Sequence, residues 1–173
     1  MPLERPCREF FTQKREGRLT RVLTEAEVFQ ITAATLAEYE QDAESFWRHT
    51  KAYDVSQNIA ALLRHIEGTH RFAILDFGCG PGRDLKTFTE LGHEAVGVEG
   101  ALRFVEMARA YSGCEVWQQD FLRLALLPAR FDGVFANASL FHIPRQELPT
   151  VLLELHAYLR PRGVLFTSNL RGH

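Results

Sequence analysis

Ile74-Leu75-Asp76-Phe77-Gly78-Cys79-Gly80-Pro81-Gly82 carries a short apolar run into three glycines at alternate positions, and Arg83 onward resumes at helical spacing. A buried strand followed by such a turn and then a helix opens one half of a doubly wound α/β sheet. Side chains at these glycines would block close approach of a ligand to the backbone and forbid positive φ. In an open α/β sheet the first such turn lies at the switch point of strand order, where ligands bind.

Downstream, short apolar strands alternate with amphipathic helices. Arg71 to Phe77 reads as the first strand, and Arg83 to Leu91 as a helix closed by Gly92. Glu94 to Val98 follows as a strand, Leu102 to Tyr111 as a helix, and Glu115 to Gln118 as a short strand. Phe131 to Ala136 is a fourth strand. Leu148, Leu152, Leu155 and Leu159 mark one face of a helix with Pro149 in its first turn and Pro161 as its stop. Val164 to Ser168 is a fifth strand. Residues 120–131 leave room for a loop or a single turn. This alternation predicts a parallel, doubly wound sheet with right-handed crossovers.

Upstream, residues 24–49 show helical spacing through Val28, Ile31, Leu36, Tyr39, Phe46 and Trp47. A second helix is expected from Asp54, with Gln57 completing a capping box. Ile59, Leu62, Leu63 and Ile66 form its apolar stripe. The expected organisation is a poorly ordered leader over 1–23 and one domain over 24–173, with covering helices at 24–68 and a core at 69–173. The leader is locally basic, with Arg5, Arg8, Lys14, Arg15, Arg18 and Arg21 against Glu4, Glu9 and Glu16. A solvated terminus is the default for such a stretch.

Composition bounds the alternatives. The chain has 173 residues, 46% hydrophobic and 24% charged, with a net charge of −2. Nothing global attracts nucleic acid or anionic lipid. No apolar run approaches the roughly 18 residues a membrane helix needs. Cys7, Cys79 and Cys114 are odd in number and lack metal-ligand spacing, which predicts reduced thiols in a cytoplasmic protein and no metal.

Two ligand classes use a glycine turn of this kind. The dinucleotide fingerprint G-x-G-x-x-G would need glycine at residue 83, which is Arg83. Asp76 would repel a pyrophosphate but attract the ammonium and sulfonium charges of S-adenosylmethionine (SAM). The expected cofactor is therefore SAM, held by Asp76, Gly78, Cys79, Gly80, Gly82 and Arg83. A nicotinamide-dependent oxidoreductase is disfavoured on the same two residues. Glu99, with Gly100 beside it, follows the second strand where a carboxylate accepts hydrogen bonds from ribose hydroxyls. Asp120 and Phe121 follow the third strand, where an acid can take the adenine amino group and an aromatic can lie on the ring. Asn137 follows the fourth, placed to orient an acceptor or hold the amino-acid end of the cofactor. His142 is either a packed core histidine or a catalytic base. Tyr39 and Trp47 can close over the methionine end or serve as core. Methyl transfer to an unprotonated nucleophile needs mainly in-line positioning and exclusion of water.

Several segments together resemble the methyltransferase domain of the ovothiol synthases. They are Ile74 to Leu85, Gly113 to Val116, Phe131 to His142, Gln146 to Pro149, and the upstream Asp54-Val55-Ser56-Gln57-Asn58-Ile59. The likeness runs from about Thr24 to Gly172. It implies a class I SAM-dependent methyltransferase of Rossmann-like fold that methylates the imidazole nitrogen of 5-thiohistidine, a small-molecule acceptor. The iron-binding signature of the sulfoxide synthase domain that precedes it in fused members is missing from these residues. Two departures stand out. Pro161-Arg162-Gly163 replaces the family's Pro-Gly-Gly, and the sequence ends at His173, shortly after the fifth strand. A full domain adds a helix and two strands there, so the expectation is a C-terminally shortened sheet with an open edge. That edge would take a second copy or a partner chain. The competing expectation is a catalytically weak SAM-binding subunit that works by pairing.

Overall fold

The computed structural model describes residues 21–69 and 71–169. The basic leader therefore lies outside the described residues, apart from Arg21, Val22 and Leu23. Leu23 is held to the core by two hydrogen bonds with the Gln146 side chain.

Helix α1 (Glu25–Thr50) opens on a capping box, in which the Thr24 hydroxyl accepts from the Glu27 amide and the Glu27 carboxylate accepts from the Thr24 amide. Helix α2 (Ser56–Leu63) does not start in the expected way. Asp54 does accept the Ser56 amide, at 2.9 Å, but Val55 is the cap residue and no side chain caps the helix. Next come β1 (Ala73–Phe77), α3 (Arg83–Glu90), β2 (Glu94–Glu99), α4 (Leu102–Ser112), β3 (Glu115–Gln118) and β4 (Phe131–Asn137). A single 3-10 turn spans Leu140–His142, and α5 (Leu148–Tyr158) leads directly into β5 (Leu159–Ser168).

The last junction differs from the sequence reading. The helix ends at Tyr158, and Leu159 is already paired with Phe131 of β4. The buried face of α5 is Val151, Leu155 and Tyr158, with Leu148 and Leu152 only partly covered. Residues 160–163 form an irregularity before regular pairing resumes at Gly133 and Val164. Arg160 bonds the buried Asp132 at 2.8 Å, and Asp132 also accepts the Ala73 amide. The side chains of the irregularity thus serve the start of β1.

All five strands are parallel, in the order β3-β2-β1-β4-β5. Alternation along β1 sorts its side chains onto opposite faces. Ile74 joins Leu62, Leu85, Phe88, Val105 and Phe135 on the side covered by α2, α3 and α4. Leu75 and Phe77 join Val98, Val134, Val151 and Leu155 under α5. Each fully buried side chain of this size contributes about 2–3 kcal/mol relative to exposure. Helix α1 lies outside these layers, where Leu36, Tyr39, Ala43 and Phe46 pack on Ala101 and Phe104. Strand order reverses between β1 and β4, so the switch point falls at the carboxyl end of β1. Among the described residues no helix is long and apolar enough to cross a membrane.

Candidate active site

At the end of β1 the backbone turns back on β2, with the Gly78 and Cys79 amides both donating to the Val98 carbonyl. Two glycines there are fixed by space as well as conformation. Gly78 has φ +77°, and a Cβ on it would stand 2.5 Å from Cβ of Ser139. Gly82 has φ +91° and caps α3; its Cβ would meet Ala108 Cα of α4 at 2.8 Å. The first keeps a close approach to the loop after β4, and the second lets α3 pack on α4.

Glu99, at the end of β2, is buried and braces this turn. One carboxylate oxygen accepts the Gly80 amide at 2.9 Å, and the other accepts Gly100 and Ala101 at 2.8 and 3.1 Å. Burial pushes its pKa up, and the three backbone donors pull it down. Asp76 is 2% exposed, and its Oδ2 has no hydrogen-bond partner among the described residues. Burial foremost, then the neighbouring Asp84 carboxylate, pushes its pKa well above the usual carboxylate range; Arg83 opposes this and Glu99 adds to it. Cys79 is buried between them, and the same burial raises its thiol.

The remaining residues singled out in the sequence fall into three groups. Arg83 grips Asp84 at 2.6 and 3.0 Å and donates to the Thr50 carbonyl at the end of α1. Asn137 donates to Asp84 at 3.2 Å and accepts from Asn58 at 3.0 Å and Ser168 at 2.6 Å. Asp120 is exposed and accepts the Leu122 amide, while Phe121 lies on Phe77 with ring centres 4.4 Å apart. His142 sits under α1, its Nε2 3.0 Å from the Tyr39 hydroxyl and its ring against Phe141. Burial lowers its pKa from the ordinary 6.5 to about 4, so it is neutral at pH 7. Trp47 is elsewhere, against Tyr111 at 4.7 Å.

Helix α1 roofs this assembly. Phe46 comes within 3.9 Å of where a Cβ on Gly80 would be, and Leu36 within 2.7 Å of one on Gly100. Glu40 accepts the Leu102 and Arg103 amides at the start of α4. A cleft of about 350 Å³ opens beside the roof, between Lys51, Asp54, Arg83, Lys86 and Tyr111, but no glycine of the turn lines it. The sequence reading missed Leu36 and Glu40, whose contacts join residues some sixty positions apart. It also missed Asp84, although an acid in the first turn of a helix after a glycine turn is a visible signal.

The donor set can be tested against both ligand classes. The Gly80 amide that a phosphate would use is taken by Glu99, and Asp76 and Asp84 add negative charge beside it. An unpaired buried carboxylate oxygen costs about 1–3 kcal/mol unless a donor reaches it. A cationic ammonium or sulfonium fits that deficit, and a diphosphate deepens it.

Comparison with known proteins agrees. Residues 74–163 match the family model of a methyltransferase domain. The chain is 36% identical over 114 residues to trans-aconitate 2-methyltransferase of Azoarcus sp. (strain BH72), covering 65% of this chain and 44% of that one. It is 30% identical over 137 residues to malonyl-[acyl-carrier protein] O-methyltransferase of Pseudescherichia vulneris, covering 75% and 54%. The chain thus spans about half the length of these relatives. Among solved structures, phosphoethanolamine N-methyltransferase 1 of Haemonchus contortus, in complex with phosphoethanolamine and S-adenosylhomocysteine, superimposes with a TM-score of 0.68. The identity there is 18%, over 85% of this chain and 33% of that one, which speaks to fold alone. Its five-stranded parallel sheet with flanking helices is the class I, Rossmann-like fold of SAM-dependent methyltransferases. The chain belongs to the methyltransferase domain family, whose cofactor is S-adenosylmethionine.

Proposed function

We propose that the domain binds SAM across Gly78–Gly82 and serves methyl transfer to a small-molecule acceptor at the carboxyl end of β4. The observation that carries this reading is the buried, half-unpaired Asp76 carboxylate beside a glycine turn braced by Glu99. The cofactor supplies an electrophilic methyl on a sulfonium. Asp76 takes the ammonium of its amino-acid end. Glu99 accepts from a ribose hydroxyl through the one acceptor site left by its three backbone donors, since a carboxylate offers about four. Phe121 gives the adenine an apolar wall next to Gly78, and Asp120 lies at the rim for the amino group. Phe46 and Leu36 exclude water from above, which strengthens every charge interaction beneath.

At the acceptor side, the Asn58, Asn137 and Ser168 cluster offers hydrogen bonds to a polar molecule. Burial keeps His142 neutral, and with Tyr39 fixing its ring it can share a hydrogen bond with the acceptor rather than take its proton. The acceptor we infer is the imidazole nitrogen of 5-thiohistidine; its support is the resemblance across Ala136 to His142. The relatives named above are titled for other acceptors, so 5-thiohistidine is the first compound to assay rather than the sole one. Calorimetric titration should show S-adenosylhomocysteine binding and NADH not. Incubation with SAM and 5-thiohistidine should yield a product heavier by one methylene unit. NADH binding without S-adenosylhomocysteine binding overturns the cofactor reading; cofactor binding without that product overturns only the acceptor.

A second reading has its own observation. Strand β5 pairs with β4 alone among the described residues, leaving its outer edge for a second copy or a partner chain. Light scattering that shows a doubled mass would favour this pairing role.

A further inference from the structure

Ser139 follows β4 and is 3% exposed, yet its hydroxyl has no hydrogen-bond partner among the described residues. A serine at the start of a helical turn usually caps it, and here the Ser139 carbonyl accepts the His142 amide while the side chain makes no cap bond. The backbone spends energy to put it there. Ala138, just before it, has φ +56°, a left-handed value that is strained for a non-glycine residue. That bend is held by Asn137, anchored on Asn58 and Ser168, and by the Ala138 amide donating to the Ser168 carbonyl at 2.9 Å. The bend delivers Ser139 onto the bare backbone of Gly78, two residues beyond Asp76, whose Oδ2 is also without a partner among the described residues.

Resting on the cofactor reading above, we propose that the Ser139 hydroxyl donates a hydrogen bond to the carboxylate of the amino-acid end of the cofactor. Charge decides which end it takes. The Asp76, Asp84 and Glu99 carboxyls crowd the one guanidinium of Arg83, already bonded to Asp84 and Thr50, and an arriving ammonium lets the buried Asp76 ionise against it. An ammonium is drawn to that surplus, and a carboxylate is turned from it toward a neutral donor. Ser139 is such a donor, dry and already fixed in place. The two orphaned atoms then divide the zwitterion between them, Asp76 on the cation and Ser139 on the anion.

Ser139→Ala keeps the Cβ that touches Gly78 and removes the oxygen alone. Three ligands are titrated into wild type and variant: S-adenosylhomocysteine, its decarboxylated 3-aminopropylthio analogue, and 5′-methylthioadenosine, which lacks the whole amino-acid end. The variant should lose about tenfold in affinity for S-adenosylhomocysteine, as expected for a hydrogen bond to a charged group. It should hold the other two within twofold of wild type. Its melting temperature without ligand should be equal or higher, because a buried unsatisfied group has gone. Equal loss across all three ligands makes Ser139 a packing residue and overturns the proposal, as does equal loss for the decarboxylated analogue. Wild type that binds none of the three overturns the cofactor reading itself, and this inference with it.

Discussion

Two of the turns that place residues at left-handed φ do so under different constraints. At Gly78 and Gly82 the backbone has positive φ and no room for a Cβ, since the neighbours are Ser139 and the Ala108 backbone. Within the irregularity of β5, Arg162 has φ +69° with its side chain in solvent, reaching Glu67. Only glycine meets both demands at the first turn. At the second the demand is conformational alone, and an arginine meets it at modest cost. The difference separates a turn whose backbone is closely packed by its neighbours from one whose side chain stands in solvent.

Gly82→Ala tests this contrast hardest. Strain at φ +91° and a 2.8 Å contact with Ala108 should together cost about 3–5 kcal/mol in urea denaturation. A loss under 1 kcal/mol would erase the distinction between the turns. The roof over the glycine turn provides the next effect. His142 in the unfolded chain takes up a proton near the ordinary 6.5, whereas the native residue waits until about pH 4. Its share of stability is complete above pH 6.5 and is lost as pH falls toward 4, about 2–3 kcal/mol in all. His142→Gln should flatten that fall relative to wild type, and parallel curves would mean that His142 is solvated.

Glu99→Ala removes the brace between Gly80 and the start of α4. Affinity for S-adenosylhomocysteine should fall by about 1.5–3 kcal/mol in a calorimetric titration. Unchanged affinity would leave the turn without its ribose partner. The smallest effect belongs to the second turn. Arg162→Gly should raise stability by about 1 kcal/mol, because relief of positive φ exceeds the loss of an exposed ion pair. A destabilised variant would show that the arginine is held there by more than its surface partner.

What was legible in the sequence follows the range of the interactions. The glycine turn, the five strands and the acid ending β2 are local patterns, and the structure has them in place. Leu159 was misread because an apolar residue at helical spacing also suits a strand, and pairing with Phe131 decided it. The spacing places a capping box at Asp54 and Gln57, whereas a capping box forms at Thr24 and Glu27, where the threonine hydroxyl accepts the Glu27 amide and donates to its carboxylate. The Asn58, Asp84, Asn137 and Ser168 cluster draws on four elements, and no spacing rule joins them.

Cys79 occupies the middle of the glycine turn, with its thiol tucked toward Gly97 rather than outward. Burial and the surrounding carboxylates keep the sulfur protonated at neutral pH. A cofactor seated on the turn, as proposed above, would therefore meet a neutral thiol there rather than a nucleophilic thiolate.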